Sequence, residues 1–195
     1  MKPDVRLSLY PGIPWFLCIG MVVLLHLLSG ILQISPVFLE PFGNVLWGPD
    51  SYSRLAQLNQ FLQDGDWYRT LFLGGNAPLG VSVQWSHALD VLLLGGAVFF
   101  MPFTGFDYSS ALLLWGIWMG PVLHLAAALM LVYLLRPVFG TVSVLFLVFL
   151  FLIQRALTYD FLAGQVDHHA LMAFLVTVAL ASLLRWLSEN QQTYH

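Results

Sequence analysis

The stretch ALDVLLLGGAVFFMPF (Ala88–Phe103) decides how the rest of the chain is laid out. It is apolar enough to enter a bilayer, yet it carries Asp90, a Gly95-Gly96 pair and Pro102. If it crosses, Asp50 and Asp167 fall on opposite sides of the membrane; if it lies along the surface, they share a side. A charge at bilayer depth costs ~2.5 to 3.5 kcal/mol on insertion scales. The residues therefore predict a juxtamembrane or re-entrant segment here rather than a lipid-facing span.

The surrounding chain is 59% hydrophobic and only 9% charged, where soluble domains carry about a quarter charged residues. That predicts an all-α integral membrane protein. The net charge is −3 and the basic residues are scattered, which argues against a nucleic-acid partner and leaves the lipid bilayer as the expected environment. A lone cysteine, Cys18, excludes an internal disulfide. A bilayer core of ~30 Å needs roughly 17 to 25 apolar residues. Four runs qualify or nearly do: 13–34, 109–135, 138–154 and 169–187. The first follows Lys2 and Arg6 and is too long for a signal-peptide core, so it reads as a retained anchor. Basic residues favour the cytoplasmic side. With Ala88–Phe103 peripheral and the N-terminus cytoplasmic, Arg136 and Arg185 fall inside, and Arg155 joins Arg54 and Arg69 outside. Letting the segment cross gives the poorer distribution. The expectation is a multi-pass protein of about four spans, with residues 35–108 as an outward-facing loop that holds juxtamembrane helices.

Two polar groups meet on that outer face. In WGPDSYSRLAQLNQFLQDGDWY (Trp47–Tyr68), Asp50 follows Pro49 and opens an amphipathic helix over 51–63, with Leu55, Leu58, Phe61 and Leu62 at helical spacing. Asp50 can serve as a plain N-cap. In LAGQVDHHALMAF (Leu162–Phe174), Asp167, His168 and His169 precede the last apolar run. Within a helix, residues two apart point ~200° from each other, so Asp167 and His169 can share a metal only if Asp167 sits just before the first turn. Gly164 provides the freedom for such a break. His168 then points elsewhere. A carboxylate and an imidazole, with a second oxygen from Asp50, form an oxygen-rich donor set that suits Mn²⁺ or Mg²⁺ better than structural Zn²⁺. Arg155 can meet a lipid phosphate or snorkel. His87 and Asp90, three apart on one helical face, can bind a pyrophosphate, support the metal shell or form part of an interfacial belt with Trp85. Tyr159 and Asp160 can line the same cavity. His26 and His124, single polar residues within spans, suit interhelical hydrogen bonding.

The order of these features resembles the amino-terminal part of the oligosaccharyltransferase catalytic subunit, a GT-C membrane glycosyltransferase. The matching pieces are GPDSYSRLAQ in the first outer loop and Gly164-Gln165-Val166-Asp167-His168-His169, which is similar to the archaeal Gly-x-x-Asp-His-His form of a family motif. The resemblance implies Asp50, Asp167 and His169 as ligands of a catalytic Mn²⁺ or Mg²⁺, with Asp50 and Asp167 catalytic and His168 not a ligand. It implies glycosyl transfer from a polyprenyl-(pyro)phosphate-linked oligosaccharide to an acceptor polypeptide's asparagine. The family's Trp-Trp-Asp motif, which reads the acceptor, has no counterpart, because no Trp-Trp pair occurs. On that comparison residues 1–195 read as one transmembrane module, a fragment of a longer enzyme. A GT-C transferase acting on a lipid or polysaccharide acceptor, or a non-catalytic scaffold in which Asp50 and Asp167 merely cap helices, fits the same residues.

Overall fold

A computed structural model describes residues 13–31, 46–68, 71, 72, 74, 76, 78–82 and 87–193. Lys2, Arg6, Arg69 and Trp85, used above, lie outside them. The described chain is almost wholly helical: α1 (Ile13–Ile31), α2 (Gly48–Asp64), α3 (His87–Phe100), α4 (Tyr108–Phe139), α5 (Thr141–Ile153), α6 (Arg155–Asp160) and α7 (His168–Thr193). Two two-residue strands, β1 (Leu71–Phe72) and β2 (Val81–Ser82), pair antiparallel between α2 and α3.

Among the described residues, three helices are long and apolar enough to cross a membrane: His87–Thr104, Tyr108–Phe139 and His168–Asn190. Measured by length and composition alone, two segments differ from the sequence expectation. The stretch treated as juxtamembrane passes the test, because α3 continues into a 3-10 turn (Met101–Thr104) that starts through Pro102. Its Asp90, the main argument against a span, is not offered to lipid, since it pairs with the buried Arg54. Conversely, the runs at 13–34 and 138–154 yield shorter apolar helices, Pro14–Ser29 and Thr141–Ile153. Gly140, at φ +78°, stops α4 and starts α5, and extended backbone at Gln154 ends α5.

α3 folds back on the start of α4. Tyr108 donates its hydroxyl to the Leu94 carbonyl at 2.5 Å, and Trp115 donates Nε1–H to the Leu92 carbonyl at 3.1 Å. Gly96 leaves room for the Trp115 indole, which also stacks on Phe100 at 5.5 Å. Asp107 caps α4 by accepting the Ser110 N–H at 2.9 Å. On α2 the buried stripe is Ser51, Arg54, Leu55 and Leu58. The apolar face is thus rotated toward Ser51 from the predicted one: Phe61 is half-buried and Leu62 exposed.

Two packed clusters result. One joins α2, α3, the first half of α4 and residues 161–170, around Leu89, Leu112, Met119 and Phe161. The other joins α1, the second half of α4, α5 and α7, around Cys18, Ala128, Val132, Val148 and Ala181. Against lipid tails, apolar burial gives little driving force, so the second cluster rests on close packing through small residues such as Ala128 and Ala181.

Candidate metal centre

The segment between α6 and α7 is not helical, and its backbone is bonded on three sides. Pro121 inside α4 has no N–H, so the carbonyl of Ile117 one turn earlier has no helical partner. It accepts the Gly164 N–H instead, at 2.9 Å. The Gly164 carbonyl accepts the Trp47 N–H at 2.8 Å, and the Ser51 hydroxyl oxygen accepts the Val166 N–H at 2.9 Å. Trp47 also donates Nε1–H to Tyr159 Oη at 2.6 Å. Gly116 and Gly120 let the segment lie close on α4: a Cβ at 116 would stand 3.2 Å from Leu55 and 3.3 Å from Val166, and one at 120 would stand 2.8 Å from the Phe161 carbonyl oxygen. The Asp50 loop and the Asp167 loop, more than a hundred residues apart in sequence, are one structural unit.

Gly164, at φ +85°, turns the chain so that Asp167 falls just before α7. This is the geometry the sequence required for a shared site. The Asp167 carboxylate curls onto the first turn, accepting the His168 N–H at 2.6 Å. One oxygen lies 2.5 Å from His168 Nδ1, and the other 3.6 Å from His169 Nε2. The two imidazoles lie 4.3 Å apart, centroid to centroid. One donor atom from each of Asp167, His168 and His169 falls within 4.8 Å of the others. His168 therefore does not point away as expected. Because Asp167 is outside the helix, its side chain can bend toward two consecutive first-turn residues that a helical Asp167 could not serve together.

Metal–ligand bonds of about 2.0 to 2.2 Å place ligand atoms roughly 3 to 4 Å apart; the 3.6 Å separation of Asp167 and His169 falls in that range, and the 2.5 Å separation of Asp167 and His168 is a direct contact shorter than it. The cluster's donor set is one carboxylate and two imidazoles. That set is softer than the one expected from Asp50, Asp167 and His169, and it favours Mn²⁺ over Mg²⁺. Asp50 is exposed in the first turn of α2, beside the Ser51 that holds Val166, but its carboxylate is not within the cluster. It does not cap α2 either: the N-cap is Trp47, with no side-chain bond.

The remaining predicted residues sit as follows. Arg155 is exposed at the first position of α6. Asp160, at the end of α6, is half-buried near the cluster. Burial pushes its carboxyl above the usual range; His169 opposes the shift, Asp167 adds to it and His168 opposes it. A carboxyl raised by folding binds its proton more tightly in the folded state. Its contribution to stability is present below the unfolded value and lost as pH rises through the folded one. Asp160→Asn is thus expected to raise the melting temperature of the metal-free protein near neutral pH, and the gain should vanish on acidification. A gain that persists at acid pH would show that the charge is not its source.

His87 and Asp90 are brought together, but around a different partner. The Asp90 carboxylate pairs with Arg54 Nη1 at 2.5 Å and with His87 Nδ1 at 3.0 Å. Trp67 packs on the His87 ring at 4.5 Å, at the edge of a small pocket of about 50 Å³ lined also by Gln57, Phe61 and Asp64. The Arg54–Asp90 pair pins α2 to α3. His26 and His124 bond to each other, as the spans suggested.

Sequence reasoning passed over Ser51, Arg54 and the Gly116-x-x-x-Gly120-Pro121 run. The last was legible: two glycines one turn apart, followed by a proline, mark a helix face that takes a close neighbour and offers it a spare carbonyl. No protein-family model, curated protein or solved structure matches the chain.

Proposed function

We propose that this chain is the donor-binding part of a metal-dependent glycosyltransferase of the oligosaccharyltransferase kind, acting on a polyprenyl-(pyro)phosphate-linked glycan at the outer membrane face. The observation that carries this reading is the union of the Asp50 and Asp167 loops through Trp47–Gly164 and Ser51–Val166, with three donor side chains gathered at that junction. From Ile117 to Phe139, α4 is roughly 33 Å long, about one hydrocarbon core, so the junction falls at one membrane boundary when α4 spans. In this arrangement α1, α4, α5 and α7 cross, the N-terminus is cytoplasmic, and α3 stays on the outer side with α2. A glycan carrier keeps its tail in hydrocarbon and presents its phosphates at that boundary.

Asp167, His168 and His169 would hold Mn²⁺ or Mg²⁺, and Asp50 would close the site from α2. A bound divalent cation there supplies stabilisation for the negative charge that gathers on a leaving (pyro)phosphate. A single carboxylate and two neutral imidazoles hold a cation without cancelling its charge. Arg155, exposed on α6, offers a planar fork to a phosphate oxygen. The acceptor is an asparagine-bearing polypeptide in this reading, with a lipid or polysaccharide acceptor as the nearest alternative.

The test is Mn²⁺ titration of the purified protein, followed by electron paramagnetic resonance, with release of glycan from a labelled polyprenyl-pyrophosphate donor measured in parallel. Asp167→Ala, His168→Ala and His169→Ala are each expected to weaken Mn²⁺ binding by about tenfold or more. Asp50→Ala should impair donor turnover. Wild-type affinity in both Asp167→Ala and His169→Ala would sink the assignment.

A further inference from the structure

His26 on α1 and His124 on α4 form a buried pair in the helical part of the molecule. His124 Nδ1 and His26 Nε2 are 3.2 Å apart, and the rings meet edge to face at 5.3 Å. His124 is 0% exposed and His26 5%. The outer nitrogens, His26 Nδ1 and His124 Nε2, have no hydrogen-bond partner among the described residues. Each such orphan is destabilising, because the group gives up its bond to water and gains none in the protein. An apolar pair of similar size would avoid that cost, so net stability is a poor reason for two histidines here. Ionisable side chains at bilayer depth point first to a functional role.

The other face of His124 shows what the pair acts on. The Phe161 ring lies flat on it, at 4.5 Å and an interplanar angle of 8°. Phe161 is fully buried, its carbonyl rests over Gly120, and it begins the segment that Gly164 and Val166 bond into place ahead of Asp167. An imidazole's last torsion is broad; a hydrogen bond to one nitrogen fixes the ring plane. His26 therefore sets the plane of His124, and that plane is the floor on which Phe161 rests. The pair also stands where the α1–α5–α7 cluster meets the cluster that carries the candidate site.

We infer that His26 and His124 are positioning residues for the Asp167 cluster, acting through Phe161 on the 161–167 segment. This rests on the metal reading above for its functional meaning, but the placement can be tested without metal. The experiment is hydrogen exchange at the Gly164 and Val166 amides of the metal-free protein in lipid nanodiscs. His26→Leu and His124→Ala should speed exchange at both amides by on the order of tenfold. His26→Gln, which retains a group able to bond His124 Nδ1, should stay within about threefold of wild type. Val148→Ala, a cavity in the other cluster, serves as the control for general loosening and should leave both amides unchanged. His26→Leu should also melt no earlier than wild type. Unchanged exchange in His26→Leu, equal acceleration in Val148→Ala, or failure of His26→Leu to fold would each overturn the inference. Where the site holds Mn²⁺, the same variants should lose about tenfold in affinity. Wild-type protein that binds no Mn²⁺ would refute the metal reading while the exchange comparison still decides this one.

Discussion

Arg54→Met is expected to cost the folded protein about 3 to 5 kcal/mol, the usual consequence of removing one member of a buried ion pair. The Arg54 side chain is 3% exposed and that of Asp90 12%, and their atoms meet at 2.5 Å. Removing the guanidinium leaves a carboxylate in a low-dielectric corner, with His87 at 3.0 Å as its remaining partner. The pair links α2 to α3, and α2 carries Asp50 and Ser51 and is preceded by Trp47, so its loss should reach the candidate site. The double variant Arg54→Met/Asp90→Leu should recover most of the loss and lie within about 2 kcal/mol of wild type, because it removes the charge together with its partner. Denaturant unfolding in detergent micelles, arranged as a double-mutant cycle, reads both numbers. A double variant as unstable as the single one would mean that the geometry of the pair, not the stranded charge, carries the cost.

The same pair shows where the sequence stopped being legible. Asp90 in an apolar run looked like a reason to keep that run out of the bilayer, since an unpaired charge in hydrocarbon is costly. Its partner is 36 positions earlier on a different helix, and no local pattern announces such a pairing. What depended on periodicity and on backbone chemistry was readable. Apolar runs of span length predicted the helical class; the spacing of Leu55 and Leu58 predicted α2 and two of its buried positions; Gly164 permitted the break that puts Asp167 ahead of α7. The direction of His168 was not readable. Helical spacing separates it from its neighbours, and only the curl of the Asp167 side chain onto the first turn overrides that spacing. The N-cap reading of Asp50 failed for a related reason: α2 begins at Gly48, three residues earlier than the carboxylate suggested.

Gly120→Ala is expected to destabilise the protein by about 1 to 3 kcal/mol, in the range of overpacked interiors, and to disorganise the Asp167 cluster along with it. A methyl group at 120 would stand 2.8 Å from the Phe161 carbonyl oxygen and 2.9 Å from that of Leu162. Both are backbone atoms, and neither can swing aside as a side-chain tip would. The segment must lift from α4, and lifting it strains the Gly164 bond to the Ile117 carbonyl, which Pro121 leaves without a substitute donor in the helix. Gly95→Ala makes the matched control, since a Cβ there meets nothing within 4 Å and alanine is the better helix former by about 1 kcal/mol. It should be neutral or mildly stabilising. Melting curves of the two variants, with Mn²⁺ affinity as the second readout, separate close approach from general intolerance of substitution. A Gly120→Ala protein that melts with wild type would mean that α4 and the 161–164 backbone are not in contact. The packing account of the site would then fall, because it is this contact that holds Asp167 at the mouth of α7.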